Sequence, residues 1–106
     1  MRLLAITSKE RSPAAPEIPP LAESGVPGFD VSTWFALFAT GGTPAPAIER
    51  IHAEAVRALR SKEVAERLPG LGMTVHASTP ATLSAHVNAE IARWSRVVRE
   101  ADIRAE

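Results

Sequence analysis

The sequence predicts an α/β protein, or an α+β protein when the chain is isolated from further polypeptide, and two observations carry this prediction. Residues 3–6 and 30–39 are rich in aliphatic, aromatic and β-branched side chains, which is typical of buried strands. Three later stretches place apolar residues at the 3.6-residue spacing of helices. With 106 residues, the chain has room for one domain or a part of one.

The first 30 residues are predicted to form a strand and then a stiff connection to the second strand. The strand at 3–6 begins almost at the first residue, which is rare in a complete domain and predicts a fragment. Residues 13–30 hold five of the nine prolines, so their backbone is expected to be extended. We call residues 13–30 the strap, because its apolar side chains predict packing on the protein surface. A short helical turn is expected at 21–24, between Pro20 and Gly25.

The second strand is predicted to be the more deeply buried one. Residues 31–38 alternate along two faces, and both faces are apolar in the second half. This pattern is typical of a strand that helices cover on both sides. Residues 40–42 then predict a turn, and residues 73–76 predict a further brief strand.

Three helices are predicted, each with its own start signal. Thr43 as cap and Pro44 as first residue begin the first, Ser61 caps the second, and Thr79 with Pro80 begins the longest. Their apolar stripes are expected to form the core. These stripes are Ile48, Ile51, Ala55, Val56 and Leu59 in the first helix, Val64 and Leu68 in the second, and Leu83, Val87, Ile91, Trp94 and Val98 in the third.

Composition and motifs give no support for an active site. The chain is 45% hydrophobic with zero formal net charge, so no nucleic-acid partner is expected. It has no cysteine, and the only potential second ligands at metal-binding spacing from its histidines are acids of solvated helix faces, such as Glu49 for His52. The Gly41–Gly42 pair is not followed by a phosphate-loop lysine, and no serine has nucleophile-elbow neighbours. The sequence therefore predicts a protein that is not an enzyme and uses no metal or cofactor.

Four stretches, taken in order, carry a family resemblance. They are residues 2–12 (RLLAITSKERS), 16–29 (PEIPPLAESGVPGF), 32–44 (STWFALFATGGTP) and 91–103 (IARWSRVVREADI). Together they resemble the periplasmic solute receptors of tripartite tricarboxylate transporters, the Bug type, over essentially the whole chain. Pro20 departs from the family, which usually has a threonine there. Family members are also about three times longer, and this chain resembles only their C-terminal third.

The resemblance implies a parent with the type II periplasmic-binding-protein fold, in which two lobes close over a small carboxylate. It further implies membrane transporter subunits as partners and a periplasmic location for the parent. Residues 1–12 would be a crossing strand and turn, the strap would return between lobes, and residues 31–106 would complete the first lobe. The chain shows no signal peptide, so as given it is expected to be cytoplasmic. The alternative is a small stand-alone interaction or oligomerisation module that binds no ligand.

Five residues are the candidates for ligand binding in the intact parent: Thr7, Ser8, Ser32, Thr33 and Trp34. They are polar or aromatic groups at predicted strand ends, where open α/β sheets bind ligands. Strand-end Ser and Thr also commonly satisfy turns, and for Trp34 a core position is the alternative that the sequence favours. Because the strand at 31–38 would lack neighbouring strands, the isolated chain is expected to be a homo-oligomer. A separately expressed N-terminal fragment is the alternative pairing partner.

Overall fold

The computed structural model describes residues 2–104. Met1, Ala105 and Glu106, which complete the predicted ranges 1–12 and 31–106, lie outside the described residues. The chain divides into two units, Met1–His76 and Ala77–Glu106, each of which is described by itself. Helices account for all the regular structure in the described residues: a 3-10 helix at Leu21–Glu23, α1 at Ala45–Leu59, α2 at Lys62–Gly70 and α3 at Pro80–Glu100.

The strands predicted at 3–6, 30–39 and 73–76 are not formed within residues 2–104. A strand is stabilised by a neighbour that takes up its N–H and C=O groups. No neighbour of this kind lies beside residues 35–39, none of which makes a backbone hydrogen bond to another described residue. The helical half of the α/β prediction is therefore confirmed, and the strand half is wrong for the described chain.

One isolated parallel bridge joins the start of the chain to the strap. The Ile6 N–H donates to the Pro19 carbonyl at 2.9 Å, and the Leu21 N–H donates to the Ile6 carbonyl at 2.8 Å. Pro20, which lies between these contacts, is buried. The bridge therefore fixes the strap against residue 6, directly before the predicted ligand residues Thr7 and Ser8.

The strap is also held through Arg11 at its N-terminal side. The Arg11 guanidinium donates to the Pro16 carbonyl at 3.0 Å and forms an ion pair with Glu23 in the 3-10 helix. Both charged side chains are about half exposed, so this pair adds little stability on its own. The 3-10 helix forms where a helical turn was predicted, and Gly25 follows it at φ +105°. Glycine accepts that conformation without a steric penalty.

The first helix begins one residue later than the sequence predicts. Pro44 occupies the cap position of α1 instead of its first residue, and α1 has no side-chain cap. The predicted cap, Thr43, instead donates its hydroxyl to the Thr40 carbonyl at 2.7 Å. Its side chain therefore closes the turn at 40–43 and is not directed to the helix.

The other two helix starts match the sequence signals. Ser61 is the cap residue of α2, although its side chain makes no cap hydrogen bond. In α3, Thr79 Oγ1 accepts from the Thr82 N–H at 3.2 Å, and Pro80 is the first helical residue. Both residues stabilise a helix start. The threonine hydroxyl accepts a hydrogen bond from an N–H that has no partner within the helix, and proline has no N–H that would need a partner.

The predicted core does not form within residues 2–104, where no hydrophobic side chain other than proline is buried. In α1, four of the five stripe residues are half-buried and Ile51 is exposed. Trp94 in α3, predicted as core, is 41% exposed, and its indole N–H donates to Glu90 Oε2 at 2.9 Å. The amphipathic faces are thus present, but the layer that would bury them is missing from the described residues.

The turn before α1 provides a test of local backbone geometry. Gly42 has a φ of +85°, in the left-handed range, whereas the φ of its neighbour Gly41 lies outside that range. At both glycines, a Cβ atom would have no neighbouring atom within 4 Å. We expect Gly42→Ala to lower the free energy of unfolding by about 1–2 kcal/mol, because an alanine side chain is strained at positive φ. Gly41→Ala is the matched control and should change the free energy of unfolding by no more than a few tenths of a kcal/mol. Urea unfolding of both variants tests this, and equal effects would contradict the assigned turn.

Candidate functional site

Two hydrogen bonds bring distant parts of the chain together directly after the Ile6 bridge. The Val31 N–H donates to the Thr7 carbonyl at 2.9 Å. The Lys9 N–H donates to Asp30 Oδ1 at 3.0 Å, across 21 positions of sequence. We call residues 7–9 together with residues 30–34 the crossing. It lies where the first segment, the end of the strap and the start of the apolar stretch 31–39 meet.

All five residues predicted to bind ligand belong to the crossing. Thr7 and Ser8 lie on one of its two segments, and Ser32, Thr33 and Trp34 directly follow Val31 on the other. Ser8 is half-buried and the other four are exposed; Trp34 has 39% of its surface accessible. The structure therefore brings the two predicted segments side by side, and their roles in ligand binding stay predictions.

Ser8 also has the ordinary structural role of a serine in a turn. Its hydroxyl donates to the Glu10 carbonyl at 2.9 Å, which stabilises the charged turn after Thr7. The oxygen lone pairs are not used by this bond, so the hydroxyl can still accept a hydrogen bond from a ligand. The turn and binding interpretations of Ser8 are thus compatible.

Asp30 is the residue of the crossing that sequence reasoning missed. Its carboxylate accepts from the Lys9 N–H and so links the two segments that carry the predicted ligand residues. The available signal was an aspartate at the junction of a glycine-containing turn and an apolar stretch, because Asp side chains often accept from backbone N–H groups there. Sequence alone does not identify the N–H that it reaches, which lies 21 residues away.

The Asp30 contact predicts a local change in backbone protection. We expect Asp30→Ala to speed hydrogen exchange of the Lys9 amide about three- to tenfold, because a solvent-accessible hydrogen bond is worth about 1 kcal/mol. Asp30→Asn keeps an acceptor oxygen and should give a smaller change. Exchange measured by NMR on both variants tests this. A Lys9 amide that exchanges equally fast with and without Asp30 would contradict the contact.

The crossing is not arranged as a metal site. Within residues 2–104, no group of three or more His, Cys, Asp or Glu side chains is arranged to hold a metal ion. The polar groups at the crossing are hydroxyls, an indole, backbone amides, the Lys9 ammonium and the Asp30 carboxylate. All of these groups except the carboxylate can donate hydrogen bonds to an anionic ligand and orient it. The described helices also include none long and apolar enough to span a membrane.

Solved structures with a similar fold define the class of protein. The chain superposes on the periplasmic binding protein BugD with a TM-score of 0.83 and 30% identity, covering 96% of this chain and 35% of that one. Against MatC (Rpa3494) from Rhodopseudomonas palustris with bound malate, the TM-score is 0.78 at 40% identity, covering 89% and 33%. R. palustris Rpa4515 with adipate gives 0.78 at 33% identity, covering 91% and 32%. The fold is therefore that of part of a periplasmic binding protein.

Sequence comparison identifies the family within this class. Residues 1–103 match the tripartite tricarboxylate transporter family receptor. Protein BugT of Bordetella pertussis is 40% identical over 100 residues, covering 94% of this chain and 31% of BugT. A protein from the tcbD–tcbE intergenic region of Pseudomonas sp. strain P51 is 39% identical over 101 residues, covering 94% and 30%. The chain belongs to the tripartite tricarboxylate transporter receptor family, which confirms the resemblance seen in the sequence.

Two consequences follow from family membership. The members are periplasmic binding receptors and not enzymes, in agreement with the sequence analysis. The chain spans about a third of the length of the relatives that it matches.

Proposed function

We propose that this chain forms part of a solute-binding receptor for small carboxylates, and that the complete receptor passes its ligand to the membrane subunits of a tripartite tricarboxylate-type transporter. The observation that carries the proposal is the family match over residues 1–103. The malate and adipate in the structures of two similar receptors support a dicarboxylate as the ligand class. The receptor is non-catalytic and works in the periplasm.

Thr7, Ser8, Ser32, Thr33 and Trp34 are the residues that we propose as this chain's contribution to the ligand site. Their support is the crossing, where the Val31–Thr7 and Lys9–Asp30 hydrogen bonds hold the two segments together. Hydroxyl and amide donors supply hydrogen bonds to a carboxylate, and the Trp34 ring supplies apolar contact to its carbon chain. The division into a crossing segment 1–12, the strap and a lobe part 31–106 belongs to the same proposal.

A ligand panel tests the proposed substrate class. The segment of MatC that matches this chain is replaced by residues 1–106, and the thermal midpoint of this chimera is measured with each ligand. Malate and adipate should raise the midpoint, because a ligand that binds only the folded state stabilises it. The matched uncharged diamides should leave it unchanged. A folded chimera that responds to no carboxylate would instead support the alternative, an interaction module without ligand-binding activity.

Without the rest of a receptor, the chain is proposed to self-associate as a homo-oligomer. The support is the exposure of large apolar side chains in 35–38, together with a backbone over 35–39 that makes no hydrogen bond to another residue within 2–104. Unpaired edges and exposed apolar patches both favour association in water.

A further inference from the structure

The second half of the strap is held at both of its ends by the same short segment of chain. At one end, the Leu21 N–H donates to the Ile6 carbonyl at 2.8 Å. At the other end, the Asp30 carboxylate accepts from the Lys9 N–H at 3.0 Å. Residues 21–30 therefore leave the first segment at residue 6 and return to it at residue 9.

The bridge at Ile6 does not by itself fix where residues 30–34 lie. The intervening chain turns at Gly25, with φ +105°, and at Gly28, with φ +78°, and residues 24–34 form no helix or strand. An irregular connection of this kind loses conformational freedom only where individual contacts hold it. The relative position of the two segments of the crossing is therefore set by the contacts at the crossing itself.

Two contacts of different kinds join these segments. The Val31 N–H donates to the Thr7 carbonyl at 2.9 Å, which is a bond between two backbone groups. The Lys9 N–H donates to the Asp30 carboxylate, and a hydrogen bond to a charged acceptor is stronger than one between neutral groups. Contacts at both residue 7 and residue 9 prevent the second segment from turning about the first, which a single contact would allow.

The charge of Asp30 acts against the proposed ligand. Asp30 is exposed and lies in the crossing, so its carboxylate repels a dicarboxylate that binds there. Water and salt screen this repulsion, which keeps it small. A direct contact with the ligand is therefore not the role that the chemistry of Asp30 supports, whereas its oxygen accepts a hydrogen bond from the other segment.

We propose that Asp30 is the positioning residue of the ligand site. Its carboxylate holds residues 7–9 beside residues 30–34, so that hydroxyls of the first segment and Trp34 of the second contact one ligand at the same time. Asp30 acts through the Lys9 N–H and does not contact the ligand. This inference rests on the proposed function for the identity of the ligand. It adds that loss of the hydrogen bond weakens ligand binding, although loss of the charge alone would strengthen it.

Hydrogen exchange resolved to single amides tests the positioning without any ligand. The measurement uses the 106-residue chain, with each rate corrected for the effect of the substituted neighbour on the unprotected amide. In Asp30→Ala, the Val31 amide should exchange at least about threefold faster, as the Lys9 amide does, because both contacts hold the same two segments. The Leu21 amide, which belongs to the bridge at Ile6, should change by less than about 1.5-fold.

Calorimetry of malate binding to the MatC chimera tests the consequence for the ligand. Asp30→Ala should weaken malate binding about fivefold or more, because a displaced segment no longer offers its hydrogen bonds to the ligand. Asp30→Asn keeps an acceptor oxygen for the Lys9 N–H and removes the charge, so the affinity should stay within about twofold. If Asp30 acted on the ligand through its charge instead, both substitutions would strengthen binding.

Glu23→Ala is the matched control for the loss of a carboxylate. Like Asp30, Glu23 is exposed and holds the strap through its side chain, in this case by an ion pair with Arg11. This ion pair lies outside the crossing, so its loss should leave malate affinity within about twofold. Circular dichroism of each variant verifies that the helix content is unchanged.

The outcomes separate this inference from the proposed function. Weaker malate binding in Asp30→Ala alone, together with faster exchange of the Val31 amide, supports the inference. Three results would overturn it: a Val31 amide that keeps its protection, malate binding in Asp30→Ala that is unchanged or tighter, or an equal loss of affinity in Asp30→Asn or Glu23→Ala. If the unsubstituted chimera binds no malate, the proposed ligand class fails, and exchange of the Val31 amide alone decides whether Asp30 positions the two segments.

Discussion

At micromolar concentration, the isolated 106-residue chain is expected to sediment as an oligomer, and Phe35→Asp is expected to make it monomeric. Phe35 is 81% exposed, so its replacement removes little within the chain itself. Burying a phenylalanine in an interface contributes about 1.5–3 kcal/mol, and burying an unpaired carboxylate costs more. Because a symmetric interface contains the residue twice, association should weaken at least about a hundredfold.

Leu71→Asp is the control for this expectation, because it adds the same charge at another exposed apolar position. Sedimentation velocity at several concentrations, with circular dichroism to verify helix content, distinguishes the variants. If the unsubstituted chain is a folded and monodisperse monomer, the stretch 31–39 is covered in solution and the proposed self-association is wrong.

The second large effect concerns ligand affinity. In a chimera of MatC that carries residues 1–106, Trp34→Ala is expected to weaken malate binding about tenfold or more. Trp34 lies in the crossing and retains 39% of its surface for contact. Truncating an aromatic anchor in a binding site commonly costs about 1–2 kcal/mol or more, and 1.4 kcal/mol corresponds to a factor of ten.

Trp94→Ala is the matched control, since this second tryptophan is 41% exposed and lies on α3. Its indole is engaged with Glu90 and lies beside the Arg93 guanidinium, whose centre is 5.6 Å from the ring centroid. The control should alter stability without altering malate affinity by more than about twofold. Equal malate affinity in the Trp34→Ala variant and its parent would remove Trp34 from the site.

Helices were predictable here because their signals are local. The spacing of Thr79, Pro80 and the following apolar residues defines the start of α3, and the structure contains that cap hydrogen bond. The start of α1 was misplaced by one residue because Thr43 had two local partners, the helix and the Thr40 carbonyl. A sequence pattern does not show which hydrogen bond a hydroxyl makes.

Strands and the core were less predictable because they depend on segments that are distant in the sequence. The alternation in 31–38 identifies a strand-forming sequence, but a strand forms only when another segment pairs with it. Trp94 likewise fits a core stripe, and its burial requires a layer that the described residues do not supply. The proximity of Thr7 and Ser8 to Ser32, Thr33 and Trp34 follows from strand-end reasoning, whereas the Asp30 link depends on a contact 21 residues away that only the fold establishes.

Calorimetric titration of malate into the MatC chimera tests the central claim most directly, namely that these 106 residues serve as one part of a carboxylate receptor. MatC was solved with bound malate and is 40% identical to this chain in the matched segment. We predict one malate per chimera, with a dissociation constant within about tenfold of that of MatC measured in the same buffer. A folded chimera of unchanged helix content that gives no binding heat and no malate-dependent rise in thermal midpoint would contradict the claim.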